Sequence, residues 1–346
     1  MARGAFRVSA TPVPGPEGTI EISDPGRLAP DPVVSVVMLA YNHAEHLARA
    51  MESVLRQQAG FPFELLVGED CSTDGSRAIA EDLLRKHPET VRIITSERNV
   101  GAYRNCMRLF AAARGEFIAQ IDGDDYWFPA KLSLQLDALR SACDAVAAYS
   151  NAIVVDRTGA AIGLFNDVPD SEFGLAELLR RGNFLCTSTM MFRASLLDAL
   201  RGVGREFIDF QTHLEAARRG RLLYRAEPLA AYRAGSSGSM VANDNPRVRE
   251  LYWQAIQSVP RELVSDDDYA HGIADFLRRV FFRCVRTRDW SLWREWKPRV
   301  FAASPRGAAR TYWLTAANIL RMAAKEAVGR FRRDASGQPL RVLYRR

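Results

Sequence analysis

Cysteine and long apolar runs are both scarce in this sequence. Its 346 residues include five cysteines, and no two of them are spaced as C-x-x-C. This argues against a zinc knuckle or a disulfide framework and predicts a protein of a reducing compartment. No stretch of about 18 residues is apolar throughout, so no membrane-spanning helix is expected. Because the first residues also lack the apolar core of a signal peptide, the sequence predicts a cytoplasmic protein.

Lysine is rare as well, and the charge is unevenly distributed. Only four of the 47 basic residues are lysines. Residues 271–346 contain 18 basic and 5 acidic residues, whereas residues 1–270 contain 29 basic and 36 acidic ones. The hydrophobic fraction of 47% and the charged fraction of 25% are typical of a folded protein. The charge split indicates two regions with different surroundings.

The order of apolar and polar residues divides the chain into three regions. Residues 1–32 are rich in Pro, Gly and Asp without a sustained period, which predicts a flexible N-terminal extension. From Val33 onward, strand and helix patterns alternate, which predicts an α/β fold with a mostly parallel sheet flanked by helices. Beyond Asn245 the pattern is mainly helical, so residues 246–346 are predicted to form a basic helical region. The predicted strands span 33–40, 63–67, 91–95, 116–121, 145–155 and 187–192, followed by two short ones joined at Pro228.

Polar side chains follow three of these strands, at the point where each strand ends. They are Tyr41, the pair Glu69 and Asp70, and the acidic run 122–125. In parallel sheets, ligands bind beyond the carboxyl ends of the strands. The sequence therefore predicts that three separate segments meet at one crevice.

The acidic run is the most informative of the three. Asp122, Asp124 and Asp125 repel one another, and a divalent ion such as Mg²⁺ or Mn²⁺ relieves that repulsion. Alternate side chains of an extended segment point the same way, so Asp122 and Asp124 are predicted to face a metal together. The alternative is a solvated acidic turn. The aromatic residues that follow, Trp127 among them, argue against this alternative, because an exposed turn has no need of them.

The other two segments each have a structural alternative. Glu69 and Asp70 can accept hydrogen bonds from a base N–H or from ribose hydroxyls, but Asp70 could instead cap the next helix. Ser72 or Asp74 is the better cap, which leaves Asp70 free for a ligand. Tyr41 can pack on a nucleobase or belong to the core.

Four segments, in this order, closely resemble the motifs of family 2 glycosyltransferases, which have the GT-A fold. They are VSVVMLAYN at 34–42, VGEDCSTDGS at 67–76, NVG at 99–101 with Asn105, and ARGEFIAQIDGDD at 113–125. The resemblance is clearest over residues 33–135. It implies a GT-A glycosyltransferase domain over residues 33–245, a nucleotide-sugar donor and inverting transfer.

The resemblance also implies roles for individual residues. Those implied to hold the nucleotide sugar are Tyr41, Glu69, Asp70, Asp122 and Asp124. Asp124 would be the main ligand of Mn²⁺ or Mg²⁺, together with Asp122. Asp209 takes the place of the catalytic base, although Ile208 replaces the Glu that usually precedes it. Gly235 stands where the family often has a His, so a third protein ligand to the metal is in doubt.

Three further side chains are candidates for the acceptor site or the cleft: Asp125, Trp127 and His213. His213 lies one helical turn after Asp209 and could contact substrate or be structural. The loop 235–239, rich in Gly and Ser, could order over the donor or be a plain linker.

The C-terminal region combines basic and aromatic residues. A helix predicted over 309–333 places Trp313, Leu320 and other apolar residues on one stripe beside Arg310 and Arg321. Such a helix can lie at an anionic membrane surface, or its stripe can pack on the catalytic domain. No nucleic-acid-binding module accompanies the charge, so nucleic acid is not an expected partner.

Taken together, the residues and the resemblance predict an inverting transferase that moves a sugar from a nucleotide donor, UDP-linked by expectation, to a glycan or a lipid-linked acceptor. The resemblance to this family implies a role in the synthesis of a bacterial surface polysaccharide. Two alternatives stay open: sugar transfer to polyprenyl phosphate, and a catalytically silent protein that binds sugar nucleotides. The predicted location is the cytoplasm, with peripheral contact to the inner face of the membrane.

Overall fold

The computed structural model describes residues 9–12, 15, 18–235, 246–329 and 342–344. The strands are β1 (Ser9–Pro12), β2 (Ile20–Ser23), β3 (Val34–Ala40), β4 (Phe63–Glu69), β5 (Val91–Thr95), β6 (Phe117–Asp122), β7 (Tyr126–Trp127), β8 (Ala145–Val155), β9 (Ala161–Asn166), β10 (Ser171–Phe173), β11 (Met191–Arg193), β12 (Arg221–Arg233) and β13 (Val342–Tyr344). The helices are α1 (Leu47–Leu55), α2 (Ser76–Lys86), α3 (Ala102–Ala112), α4 (Lys131–Ser141), α5 (Leu175–Arg181), α6 (Leu196–Gly202), α7 (Asp209–Ala217), α8 (Pro246–Gln257), α9 (Asp266–Thr287), α10 (Ser291–Ala302) and α11 (Gly307–Gly329).

One mixed sheet organises the molecule, and its strand order is β1-β2-β5-β4-β3-β6-β11-β8-β12-β10. The central strands β5, β4, β3 and β6 are parallel to one another. Strand β11 is antiparallel to both β6 and β8, and β12 runs parallel to β8. The prediction of an α/β fold with a mostly parallel sheet flanked by helices is therefore confirmed. The carboxyl ends of β3, β4 and β6 lie at one edge, as the predicted crevice requires.

The two faces of the sheet are covered by separate apolar layers. In β3, Val36 and Met38 pack into the layer that contains α1, α2 and α4, whereas Val37 packs into the opposite layer with α3. This is the alternation that a strand with both faces buried must show. The run of valines in β3 is explained by burial on both sides.

The C-terminal helices belong to the second of these layers. Trp253 of α8, Phe276 of α9 and Trp296 of α10 are buried in the same apolar cluster as Val37 and Phe110. The prediction of a mainly helical C-terminal region is confirmed for residues 246–329. Most of its aromatic residues belong to this cluster or pack against it. The domain boundary near Asn245 lies outside the described residues and stays a prediction. Residues 236–239 of the predicted loop also lie outside them.

The N-terminal extension is more ordered than the sequence predicts. Ile20–Ser23 forms strand β2, which pairs with β5 in antiparallel register. The carboxylate of Glu21 is buried there and accepts two hydrogen bonds from the guanidinium of Arg92, at 2.8 and 2.7 Å. The prediction that residues 1–32 are flexible is wrong for this strand. Arg92, the buried partner of Glu21, lies 71 residues away in the sequence, so the local pattern of apolar and polar residues could not predict this pairing.

Two other segments differ from the prediction. The predicted strand over 187–192 is a 3-10 turn at Thr187–Thr189, followed by the short strand β11. The predicted break at Pro228 is an irregularity inside one continuous strand, β12, with register shifts on both sides of the proline. Proline has no N–H to donate to the ladder, so a bulge there preserves the pairing of the rest. Among the described helices, none combines the length and the apolar character that crossing a membrane demands.

Candidate active site

The three polar strand ends lie side by side, as predicted. The backbone N–H of Asp70 donates to the carbonyl oxygen of Ala40 at 3.0 Å, and the N–H of Gly123 donates to that of Leu39 at 2.8 Å. These bonds join the end of β3 to the segments that follow β4 and β6. Tyr41, directly after β3, is 43% exposed and is the aromatic side chain open to solvent at this edge.

The acidic run forms a tight, partly buried group of carboxylates. Asp122 is half-buried, whereas Asp124 and Asp125 are 9% and 2% exposed. One oxygen of Asp125, Oδ1, accepts a hydrogen bond from the backbone N–H of Arg233 at 2.7 Å. The other, Oδ2, is buried without a hydrogen-bond partner among the described residues. The group thus holds more acceptor oxygens than the surrounding chain satisfies.

The pKa values of these carboxylates are raised, in part because their negative charges repel one another. Burial, followed by the charges of Asp124 and Asp209, raises the pKa of Asp122 to about 7. Burial and the charges of Asp124 and Asp122 also raise the pKa of Asp125 well above its usual value. A divalent cation would remove both penalties, because it favours the ionised form of every carboxylate around it.

The residues present fit a hard divalent ion that shares its ligands with a substrate. The donor set is carboxylate oxygen, which Mg²⁺ and Mn²⁺ prefer. Within the described residues, however, no three His, Cys, Asp or Glu side chains are arranged to hold a metal by themselves. Such a site would need phosphate oxygens to complete it, as Mg²⁺ sites with one or two carboxylates do.

Asp209 approaches the same group from a different part of the chain. It is the exposed first residue of α7, where a negative charge is favourable, and its Oδ1 accepts a hydrogen bond from the N–H of Phe210 at 2.7 Å. Its Oδ2 accepts from the hydroxyl of Thr187 at 3.3 Å and from the amide of Asn183 at 3.2 Å. The prediction that Asp209 lies near the acidic run is supported by its effect on the pKa of Asp122.

The 3-10 turn connects the two sides of the site. Thr187 donates to Asp209, and the next residue, Ser188, accepts a hydrogen bond at its Oγ from the N–H of Asp122 at 3.1 Å. Trp127 stabilises this turn, because its Nε1 donates to the carbonyl oxygen of Ser188 at 2.6 Å. The ring of Trp127 is buried and lies 3.9 Å from the ammonium nitrogen of Lys131. Trp127 therefore supports the site from behind, which differs from the predicted cleft position.

Glu69 and Asp70 are buried, and protein donors occupy their carboxylates. Glu69 is fully buried and accepts hydrogen bonds from the N–H of Ser72 and the hydroxyl of Thr95. Asp70 accepts from the N–H groups of Val100 and Gly101, both at 2.9 Å. The carboxylate of Asp70, predicted to be left free for a ligand, thus already fixes the loop before α3 through both of its oxygens. Contact of either residue with a nucleotide stays a prediction.

His213 lies in the layer behind Asp209. It is fully buried, and its Nδ1 is 2.9 Å from the hydroxyl oxygen of Tyr149, while Nε2 has no partner among the described residues. Burial lowers the pKa of His213 to about 4, although the charge of Asp209 opposes this shift. A neutral, enclosed imidazole favours the structural alternative over direct substrate contact.

Sequence reasoning missed the buried cation beside these acids. Arg108 is fully buried, donates to the carbonyl oxygen of Glu69 at 2.9 Å and lies 3.5 Å from a carboxylate oxygen of Asp70. Nothing in its local sequence distinguishes it from the many surface arginines. Its role becomes visible only when α3 is packed against β4.

Comparisons with known proteins identify relatives of this chain. The family model described as glycosyl transferase family 2 matches residues 35–201. An uncharacterised protein of Mycobacterium tuberculosis is 29% identical over 208 residues, which is 59% of this chain and 60% of that protein. The succinoglycan biosynthesis protein ExoO of Rhizobium meliloti is 34% identical over 137 residues, or 39% of this chain and 38% of ExoO.

A solved structure supports the fold over most of the chain. The crystal structure of S. aureus TarS 1-349 in complex with UDP-GlcNAc superposes with a TM-score of 0.59 at 19% identity. The match covers 87% of this chain and 93% of that one. The order and spacing of the four motifs and the matching family model show that residues 35–201 form a glycosyl transferase family 2 domain.

Proposed function

We propose that this protein is an inverting glycosyltransferase that moves a sugar from a nucleotide donor to an acceptor hydroxyl. The observation that carries the proposal is the turn at Thr187 and Ser188, which bonds to Asp209 on one side and to Asp122 on the other. It brings a lone exposed carboxylate next to a cluster of carboxylates. Inverting transfer needs these two functions on opposite sides of the sugar.

The donor we propose is a UDP-sugar bound at the ends of β3, β4 and β6. The TarS structures, which contain UDP-GlcNAc and UDP, support this choice. Exposed Tyr41 offers a face for the uracil ring. Glu69 and Asp70 shape the loops around it, and free lone pairs on their oxygens can still accept from a base N–H.

Asp124 and Asp122 are the residues that we propose to hold Mn²⁺ or Mg²⁺, with the unpartnered oxygen of Asp125 close by. When bound, the ion neutralises the charge on the departing diphosphate. Asp209 removes the proton from the acceptor hydroxyl while that oxygen attacks C1 of the sugar. The C1–oxygen bond to the diphosphate breaks on the opposite face, and the proton ends on Asp209.

The acceptor that we propose is a glycan or a lipid-linked glycan of a bacterial surface polysaccharide. The relative ExoO, named for succinoglycan biosynthesis, supports this class. The proposed location is the cytoplasmic side of the membrane. A second candidate, transfer to polyprenyl phosphate, is favoured by exposed Trp313 and Leu320 on α11, which suit a lipid-borne substrate. Radiolabel that enters organic solvent with bare polyprenyl phosphate as the sole acceptor would identify the second candidate, whereas label transferred only when a glycan acceptor is supplied would identify the first.

The test is release of UDP from a panel of UDP-sugars with Mn²⁺ and candidate acceptors. We expect Asp209→Asn to bind UDP as the wild type does, but to lose transfer by roughly 10²- to 10⁴-fold, because the general base is removed. Asp198→Asn, at an exposed carboxylate on α6, is the matched control and should keep full activity. Wild-type transfer by Asp209→Asn would remove this residue from the mechanism. Binding of UDP-sugars without any turnover would favour the silent alternative.

A further inference from the structure

A cavity of about 210 Å³ lies between α5, α9 and α11, away from the acidic run. Five cations and one carboxylate line it: Arg180, Arg181, Arg278, Arg321, Lys325 and Asp275. A cavity with this excess of positive charge on its walls suits an anion. The proposed transfer reaction assigns it no role.

The pairing of these cations leaves two of them available. Arg180 and Arg181 pair with Asp268 and Glu177, and Arg278 pairs with Asp275. Arg321 and Lys325, by contrast, form no ion pair with any residue that the structure describes. They stand four residues apart on α11, so both project from the same side of the helix toward the cavity.

Arginine charges act on a histidine in the wall of the cavity. His271, on its wall, has a lowered pKa, mainly because of burial and then because of Arg180. Arg310 and Arg321 lower that pKa further, whereas the carboxylate of Asp267 raises it without reversing the shift. Burial disfavours a charge of either sign, so only the arginine contributions bear on an anion, and they favour a negative group such as a phosphate.

The neighbouring side of α11 is apolar and exposed. Trp313 and Leu320 are 69% and 71% exposed, and Ala317 and Ala324 are exposed between and beyond them. Each of Leu320 and Ala324 directly precedes a cavity cation, so this stripe lies about 100° around the helix from the cavity side. Exposed Trp and Leu beside Arg and Lys are typical of helices that lie in a membrane interface.

We propose that the cavity binds the phosphate of an anionic membrane lipid while the apolar stripe of α11 enters the headgroup layer. Arg321 and Lys325 supply the charge that the lipid phosphate meets, and Trp313 and Leu320 supply the apolar contact. A chain of contacts links the cavity wall to the proposed base: Arg279 pairs with Asp275 and donates to the carbonyl oxygen of Asn183, and the side-chain amide of Asn183 donates to Asp209. The inference does not depend on which sugar is transferred.

Sedimentation with lipid vesicles tests the proposal without using the donor. The full chain should bind vesicles of equal parts phosphatidylcholine and phosphatidylglycerol, and bind pure phosphatidylcholine far less. The double variant Arg321→Gln/Lys325→Gln should bind the anionic vesicles about thirtyfold more weakly, since each cation near the surface contributes about 1 kcal/mol. Lys86→Gln/Arg140→Gln removes the same charge from exposed sites on α2 and α4 and should bind as the wild type does.

A second variant and a soluble anion separate the remaining outcomes. Trp313→Ala/Leu320→Ala keeps all charges and should also lose vesicle binding, with an unchanged melting temperature. If both variants and the control lose binding equally, the attraction is non-specific and the proposal fails. It also fails if inorganic phosphate raises the melting temperature while the wild type ignores anionic vesicles. UDP release by the same samples reports separately on the proposed transfer reaction.

Discussion

Asp122 shows how the candidate site stores unfavourable electrostatic energy. Its pKa of about 7 means that the folded chain holds this carboxylate at the edge of ionisation, because of burial and the charges of Asp124 and Asp209. Perturbed carboxylates of this kind cluster at functional sites. Binding of a cation and a diphosphate would convert this penalty into affinity, since the ionised form is the one that binds.

His213 provides a prediction about pH. Its pKa is about 4 in the folded protein and near 6.5 in an unfolded chain. The unfolded state therefore binds a proton first as the pH falls, so the free energy of unfolding decreases between about pH 6.5 and pH 4. The loss attributable to this group should be about 2 kcal/mol between about pH 7 and pH 5.

The variant His213→Gln should lose that part of the acid sensitivity, since its amide does not titrate but can still bond to Tyr149. Urea denaturation at the two pH values measures the difference. His87→Gln, at a histidine whose side chain is 42% exposed, is the control and should keep the dependence of the wild type. An identical pH dependence in His213→Gln and the wild type would contradict the burial argument.

At the scale of elements, the positions of strands were predictable and the partners of buried polar groups were not. The valines of β3 and the acids at its neighbours' ends are local signals, and they correctly predicted that the three polar strand ends lie side by side. The hydrogen bonds to the carboxylate of Asp70 could not be predicted from the sequence. Their donors, the N–H groups of Val100 and Gly101, lie about 30 residues further along the chain, and only the fold of the segment between β4 and α3 brings them close. The turn at Thr187 read as a strand because small hydroxyl residues fit either structure.

Strand β2 offers a prediction about stability. Arg92 is buried between the carboxylates of Glu21 and Glu64, with hydrogen bonds of 2.7 to 2.9 Å. Arg92→Met should reduce the free energy of unfolding by about 3 to 5 kcal/mol, because it leaves the Glu21 carboxylate buried without its cation. Urea denaturation followed by circular dichroism measures the change.

The control for Arg92 is an exposed arginine in an ion pair of the same length. Arg56→Met breaks the surface pair with Glu52 and should cost at most about 1 kcal/mol. If the two variants unfold at the same urea concentration, β2 does not contribute to the stability of the sheet. That result would restore the predicted flexible extension for residues 20–23.

At the scale of the whole molecule, the C-terminal helices and the sheet share one apolar core. The composition predicted two regions, and the charge difference between them is real. Yet the aromatic residues of α8, α9 and α10 pack in the same layer as Val37 of β3 and Phe110 of α3. The two regions differ in charge, but buried apolar residues of both belong to one cluster. We therefore expect the two regions to unfold together, although their charge distinguishes them in sequence.

Trp296 tests this joined core. It is 1% exposed on α10, and its ring lies 4.9 Å from Phe276 and 6.1 Å from Trp253, centroid to centroid. Trp296→Ala should lower the free energy of unfolding by about 3 to 5 kcal/mol. Unfolding should remain a single transition whether it is followed by helix content or by the binding of UDP. Trp290→Ala, at a site 43% exposed, should change stability by less than about 1 kcal/mol. A second transition, in which the helices melt while UDP binding persists, would show that the C-terminal region folds on a core of its own.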